Sequence, residues 1–377
     1  MRALLLTNIY PTRATPTGAT FIRSRLRALA DLETEIVPMA VWPTWTTAAT
    51  VVRAPFRRAE EGPPVEPFLP VTAPLGPGQA LRRRLESRAG RRWLDDITAQ
   101  VLAHRAGPVD VVHAHGMYDL PAGLVAMRVA DRLDVPYVVS MHGTDVNEVM
   151  PRRRQFYSQV LMGASATIYV SAALRDRSHS LTVTHPQAHV IPNGVDPATF
   201  TPGARATVPT VLYVGNLEPV KGVDRLPTVW THVRAEIPSA RLVVVGTGSL
   251  LARIRRGLDD QSVSFLGRLD PACVAREMAR AHVLVLPSRG EGWPTVIMEA
   301  YATGTPVVAT AVGGVAEAIV EPDHLVPDGP GLEERLAQAV VRVLRAAEGS
   351  RPELIEAARP HTWPQVAARE LEVYRSC

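Results

Sequence analysis

Short, almost wholly apolar runs recur along the chain, each followed by a turn rich in Gly, Pro, Asn or Asp and then by a stretch of helical period. Such runs at 2–7, 34–40, 109–113, 136–140, 166–170 and 188–192, then at 209–214, 241–245, 262–266, 282–286 and 306–309, predict strands. Runs that are apolar throughout, rather than at alternate positions, belong to strands buried on both faces. This pattern predicts two parallel, doubly wound α/β sheets. The alternation breaks after VIPNGVD at 190–196, where Pro197, Thr201, Pro202, Gly203 and Pro209 make a polar connection, and the hinge is expected there. The N-terminal domain is therefore 1–189 and the next 190–362, with a last helix near 364–375 offering Trp363, Val366, Leu371 and Tyr374 for packing. Between Trp42 and Gly78, eight prolines and little periodicity suggest either a functional loop or a mobile one.

Length supports this division, since 377 residues suit two cores better than one. Two cysteines, Cys273 and Cys377, give neither a disulfide framework nor a Cys metal cluster. The start, MRALLLTNIY, has too short an apolar run for a signal peptide, and no segment is long enough to span a bilayer. A cytoplasmic protein is expected, with any membrane contact peripheral at the inner face. Charge is uneven: residues 1–187 carry 22 Arg against 16 acidic residues, and 188–377 carry 19 basic against 21 acidic. An anionic partner such as a lipid surface or phosphorylated acceptor fits the basic half, whereas no motif accompanies it that would point to nucleic acid. The segment Leu81–Ile97 places Leu81, Leu85, Ala89, Trp93 and Ile97 at steps of four among six arginines, a basic amphipathic helix. Its apolar side faces either the domain's own core or an anionic membrane.

Candidate chemistry gathers at strand ends, where ligands of open parallel sheets bind. After the run at 282–286 come Pro287, Ser288, Gly290, Glu291 and Gly292, then a helix start with Pro294 in its first turn. Amides from Trp293 to Val296, including Thr295, should face an anion such as phosphate. Glu291 and Glu299, with seven residues between them, would then flank that anion, one at the far end of a ligand and one on vicinal hydroxyls, as a sugar nucleotide requires. A turn glutamate plus a solvated helix residue would also give a bare pair at this spacing. Lys221 is the only lysine beside 40 arginines, and a compact ammonium in the glycine-flanked loop VGNLEPVKG, which begins near Gly215, suits a phosphate. VVHAHG brings His113 and His115 to another strand end, with the strand expected to stop before both rings can share a face. MHGTDV brings His142 and Asp145 to the next, where Asp145 is also a natural helix cap. GTGSLL at 246–251 lacks the third glycine of a dinucleotide fingerprint.

Taken together, PSRGEGWPTVIMEAYATGTPVVATAVGG, VGNLEPVKG, VIPNGVD, VVHAHG, MHGTDV and TNIYPTRATPTGATF resemble the retaining glycosyltransferases of family 4, across nearly the whole chain. The resemblance implies a GT-B fold, two Rossmann-like domains facing across a cleft, with helix 363–377 returning to the N-terminal domain. It implies a nucleotide-diphosphate sugar as donor and Lys221 on the diphosphate. It also implies catalytic roles for Glu291 and His115 at the reacting sugar, a backbone approach to the distal phosphate at Gly18, and a base pocket near FLGRL with Arg268. The family's usual arginine after Gly215 is Asn216 here, so Asn216 itself, Arg268 or Arg289 must supplement Lys221. His142 and Asp145 are acceptor-side candidates. Neither Asp-x-Asp nor a His/Cys set with ligand spacing is present, so no metal or other cofactor is expected and Lys221 with helix amides must stabilise the leaving diphosphate. The expected activity is hexosyl transfer to a hydroxyl of a glycan, lipid-linked or small natural-product acceptor. Two readings stay open beside it: a GT-B nucleotide-sugar epimerase, and a non-catalytic nucleotide-sugar-binding partner.

Overall fold

The computed structural model describes residues 1–9, 20–32, 35–43, 69–73, 87–104, 107–118, 122–258, 260–346 and 351–377. They form two compact units, Met1–Ile191 with Ala367–Cys377, and Pro192–Val366. In the first unit β1 (Arg2–Thr7), β2 (Glu35–Pro43), β3 (Leu69–Ala73), β4 (Val111–His115), β5 (Tyr137–Met141), β6 (Ala166–Tyr169) and β7 (Ala188–Val190) make one parallel sheet ordered β3-β2-β1-β4-β5-β6-β7. In the second, β8 (Thr210–Val214), β9 (Arg241–Val245), β10 (Val263–Gly267), β11 (Val283–Leu286), β12 (Val307–Thr310) and β13 (Leu325–Val326) follow the order β10-β9-β8-β11-β12-β13, again parallel. Both sheets reverse their order beside the first strand laid down, between β1 and β4 and between β8 and β11. Each is a doubly wound, Rossmann-like unit.

The strands are apolar because both faces are covered. Leu4, Leu5 and Leu6 of β1 are fully buried, as are Val138 and Val139 of β5. In the second unit Val211, Tyr213, Val244, Val285 and Val308 pack with Leu226, Trp230 and Val233 of the helix Leu226–Glu236 and with Leu336, Val340 and Leu344 of the helix Leu332–Ala346. Two strands escape the reading of the sequence. β3, which contains Pro70, lies inside the proline-rich stretch expected to be a loop and takes the sheet edge, a position where prolines are commonly accommodated. β13 has two residues, too few to show a period.

The described part of the basic segment lies in the helix Arg88–His104, which runs beyond the expected end at Ile97. Trp93, Leu94, Ile97 and Val101 are buried, and Arg88, Arg91 and Arg92 are exposed, so the apolar side covers the unit's own core and the arginines form a solvated face. Leu81, Arg82, Arg83, Arg84 and Leu85 lie outside the described residues. Among the described residues, no helix is long and apolar enough to cross a membrane.

The helix Trp363–Ser376 buries Trp363, Val366, Leu371 and Tyr374, and from Ala367 onward it belongs to the first unit. What fastens it there is electrostatic. Arg25, on the helix Thr20–Ala30, donates from Nη1 to Glu370 Oε2 at 2.7 Å, and both side chains are fully buried. Tyr374 Oη donates to Glu370 Oε1 at 2.6 Å. Its oxygen therefore accepts from His113 Nδ1 at 2.5 Å, while His113 Nε2 meets Ser140 Oγ at 2.8 Å. Burial alone would raise the Glu370 carboxyl's pKa, but the Arg25 charge, His113 and the Tyr374 hydroxyl together bring it down to about 2.

A depressed carboxylate pKa contributes stability above its unfolded value, and that stability is lost as pH falls toward the folded value. Equilibrium unfolding in urea should therefore show stability falling as pH drops from the ordinary glutamate range toward 2. Glu370→Gln should be less stable at neutral pH by about 3–5 kcal/mol, because the Arg25 charge is left buried without this carboxylate. A loss below about 1 kcal/mol would mean that the network contributes little.

Candidate functional site

Each unit carries a cluster at the carboxyl ends of the strands flanking its reversal point, where diverging crossovers leave a crevice. In the second unit the loop after β8 contains a short 3-10 turn, Pro219–Lys221, ended by Gly222. The loop after β11 holds Ser288 and Glu291. These two loops are joined by charge: Lys221 Nζ donates to Glu291 Oε1 at 2.8 Å and to Oε2 at 2.7 Å. Ser288 Oγ adds a bond to Oε1 at 2.7 Å. Glu291 is buried at 8% exposure, whereas the Lys221 side chain is 29% exposed, so the ammonium reaches the surface of the site and the carboxylate lies beneath it. Two of the three ammonium hydrogens go to Glu291, which leaves the third for a ligand oxygen.

Backbone geometry holds both loops in place. Gly222 has φ +62°, and a Cβ there would stand 1.8 Å from the Pro287 carbonyl oxygen; Gly313, at φ +51°, would place one 2.0 Å from the Glu291 carbonyl oxygen. Both positions accept only glycine without local displacement. Arg225 Nη1 donates to the Pro287 carbonyl at 3.0 Å, a further tie between the loops.

The helix after Glu291 is Thr295–Ala302, and Pro294 is its N-cap, not a first-turn residue. Pro294 has no N–H, and the Ile297 amide already donates to the Pro294 carbonyl at 3.0 Å, so Thr295 and Val296 supply the first helical amides, with Trp293 in the preceding loop. Gly292 stands before them, half-buried, and the Trp293 ring lies 5.3 Å from that of His361. Glu299 sits one turn into the helix. Burial of its carboxyl, only partly offset by the Thr295 hydroxyl, pushes the pKa up to about 7.

The possible supplementary cations separate clearly. Arg289 holds Asp224 through both nitrogens, at 2.6 and 2.9 Å, and donates to the Pro219 carbonyl. Arg268 is exposed and makes one long contact, 3.5 Å, to Thr247 Oγ1, leaving it the freer to turn toward an anion. Asn216 is exposed next to Gly215, and its carbonyl accepts from Tyr213 Oη.

In the first unit β4 continues through His115, so His113 and His115 share a face, with ring centroids 4.2 Å apart. The expectation that the strand stops first is corrected: His115 still pairs in register with Thr7 of β1 and Ser140 of β5. Beside it, His115 Nδ1 lies 3.2 Å from His142 Nε2. Burial first, and then the neighbouring His113 and Arg25, lower the pKa of both imidazoles well below the usual histidine range. Asp145 spends its carboxylate on the backbone amides of His142, Gly143 and Val146 at 2.8–3.1 Å, and so ties down the loop that carries His142 rather than capping the helical turn Asp145–Val149, whose N-cap is Thr144. Gly18 lies outside the described residues.

His113, His115 and Glu370 bring ligand atoms within 4.8 Å of one another. Both nitrogens of His113 and both oxygens of Glu370 already have partners, and the Arg25 guanidinium stands against the carboxylate. That donor set fits a hydrogen-bonded network better than a cation.

Sequence reasoning missed Ser288, Gly313, Arg225, Arg25 and Glu370. Ser288 registered only as a strand breaker, and Gly313 stood inside a quoted motif without a role. The other three are ordinary charged residues whose partners lie far away in the chain.

Residues 48–199 match Glycosyltransferase Family 4, and residues 208–346 match Glycosyl transferases group 1. Over 320 residues the chain is 31% identical to the D-inositol 3-phosphate glycosyltransferase of Jonesia denitrificans, a match covering 72% of this chain and 73% of that one. It is 31% identical over 288 residues to the glycogen synthase of Mycobacterium tuberculosis (strain CDC 1551 / Oshkosh), covering 70% and 68%. The fold is similar to that of Anabaena HepE, crystallised with UDP, at TM-score 0.72, 16% identity and full coverage of both chains.

Gly222→Ala should cost about 1–3 kcal/mol of stability, through positive φ and the clash with Pro287. It should also displace Lys221 from Glu291. Thermal unfolding and a crystal structure of the variant check this; an unshifted Lys221 with unchanged stability would remove the steric argument.

Proposed function

The chain belongs to glycosyltransferase family 4, and from that premise we propose that it moves a sugar from a nucleotide-diphosphate sugar to a hydroxyl, with retention of anomeric configuration and without a metal. The observation that carries this reading is the Lys221–Glu291 pair at the β8/β11 reversal point, beside the start of the helix Thr295–Ala302. An ammonium with one hydrogen to spare and a helix N-terminus are together a diphosphate site. As the bond from sugar to phosphate breaks, negative charge grows on the leaving oxygen, and fixed donors stabilise it without reorganising.

The same pair bears on stereochemistry. Glu291, held through both oxygens by Lys221 and again by Ser288, is a poor candidate for a covalent nucleophile. Its negative charge instead suits a sugar that becomes positive at the transition state. Attack then comes from the face the diphosphate leaves, with a phosphate oxygen taking the acceptor's proton. Glu299, once ionised, accepts from the vicinal hydroxyls of the ribose, and Arg268 supplements Lys221 where Asn216 replaces the family's arginine. His115 and His142 serve hydroxyls of the transferred sugar or of the acceptor, which is a glycan, a lipid-linked sugar or a small natural product. The inositol phosphate and glycogen named for two relatives both present hydroxyls of this kind.

Lys221→Ala should lower donor turnover per unit concentration by about tenfold to a hundredfold, since a charge-assisted hydrogen bond is lost and Glu291 is left buried without its counter-charge. Asn216→Arg should soften that defect. Steady-state kinetics in EDTA decide the point: wild-type rates from Lys221→Ala would misplace the diphosphate, and turnover that returns only with added magnesium or manganese would overturn the metal-free scheme.

Glu299 gives a pH signature. With its carboxyl near pKa 7, binding that requires the carboxylate should tighten as pH rises through that value. Calorimetric titration with an intact nucleotide sugar, whose diphosphate keeps its charge over this range, should show Kd falling from about pH 6 to about pH 8. Glu299→Gln should flatten the profile. A wild-type profile without slope would detach Glu299 from the ribose.

A further inference from the structure

The outer nitrogens of the first unit's histidine pair, His115 Nε2 and His142 Nδ1, are buried and have no hydrogen-bond partner among the described residues. Their inner nitrogens face each other at 3.2 Å, a distance at which one must carry a proton and the other a lone pair. Two neutral imidazoles hold two protons in all. One is used at the inner contact, so the outer nitrogens must present one donor and one acceptor, whichever ring donates inward.

That constraint selects a ligand. A phosphate oxygen only accepts and an ammonium only donates, so each would leave one outer nitrogen unmatched. A hydroxyl does both. Arg25, held against the Glu370 carboxylate, is the fixed cation nearby, and its charge together with burial disfavours an imidazolium in either ring. Asp145 accepts from the His142 and Gly143 amides, and the Phe21 ring packs against the His142 imidazole at 4.8 Å, so the second ring is also held in position.

We propose that His142 is a positioning residue for His115, fixing its tautomer, and that the two rings together offer a matched donor and acceptor to hydroxyls of a neutral sugar or cyclitol. This rests on the transferase reading above and names the chemistry recognised in the first unit: polyol, not phosphate.

Imidazole ¹⁵N NMR of the full-length protein at neutral pH tests the pairing without any substrate. Expected is one protonated and one bare nitrogen at the inner contact, and the same at the outer pair. An imidazolium in either ring, or two bare inner nitrogens, would overturn it. Kinetics test the role. His142→Phe keeps the packing against Phe21 and removes the inner partner, so His115 should show mixed tautomers. Its kcat/KM should fall about two- to tenfold, the range for one neutral hydrogen bond. Affinity for the nucleoside diphosphate alone should be unchanged, and His142→Gln should recover part of the rate. An unchanged His115 tautomer and rate in His142→Phe would overturn the positioning role. A wild-type protein that turns over no nucleotide sugar would instead overturn the transferase reading, while the NMR spectrum still decides the pairing.

Discussion

Reversal of strand order is the constraint on which both sites depend. When crossovers from two neighbouring strands leave for opposite faces of a parallel sheet, their loops diverge and the backbone at that end is open to a ligand. In the second unit the strands are β8 and β11, and the loops they release carry Lys221 and Glu291. In the first unit they are β1 and β4, and β4 ends on His115. The chain is a glycosyltransferase of GT-B type, built as two Rossmann-like domains, and each domain places chemically different groups at its reversal point.

The difference is electrostatic. At the second unit's point a cation and an anion are locked together near the surface, where the exposed ammonium can still engage a charged group. At the first unit's point the charges are fully buried, in the Arg25–Glu370 pair, and beside them stand imidazoles whose pKa values burial and that cation lower.

Much of this was legible in the sequence, for reasons that can be named. Strands buried on both faces are largely apolar, so β1, β5, β6, β8, β11 and β12 stood out. β3 did not, because it lies among eight prolines in a stretch with little period, and β13 did not, because two residues carry no period. Lys221 was conspicuous as the only lysine, and Glu291 by its place in a glycine-rich junction. The ties that make them a site were not. Ser288 looks like any turn serine until its hydroxyl is seen on Glu291, and Arg25 and Glu370 lie 345 positions apart in a chain with 40 arginines. The end of β4 is not legible locally, because strand ends are set by pairing with neighbours, here Thr7 and Ser140, rather than by local composition.

A crystal structure with a non-transferable nucleotide-diphosphate sugar analogue tests the diphosphate site directly. Expected are a diphosphate oxygen within hydrogen-bond reach of Lys221 Nζ, the Thr295 and Val296 amides turned toward the same group, and the ribose diol on Glu299. A diphosphate bound elsewhere, with Lys221 still closed on Glu291 and no ligand at the start of that helix, would contradict it.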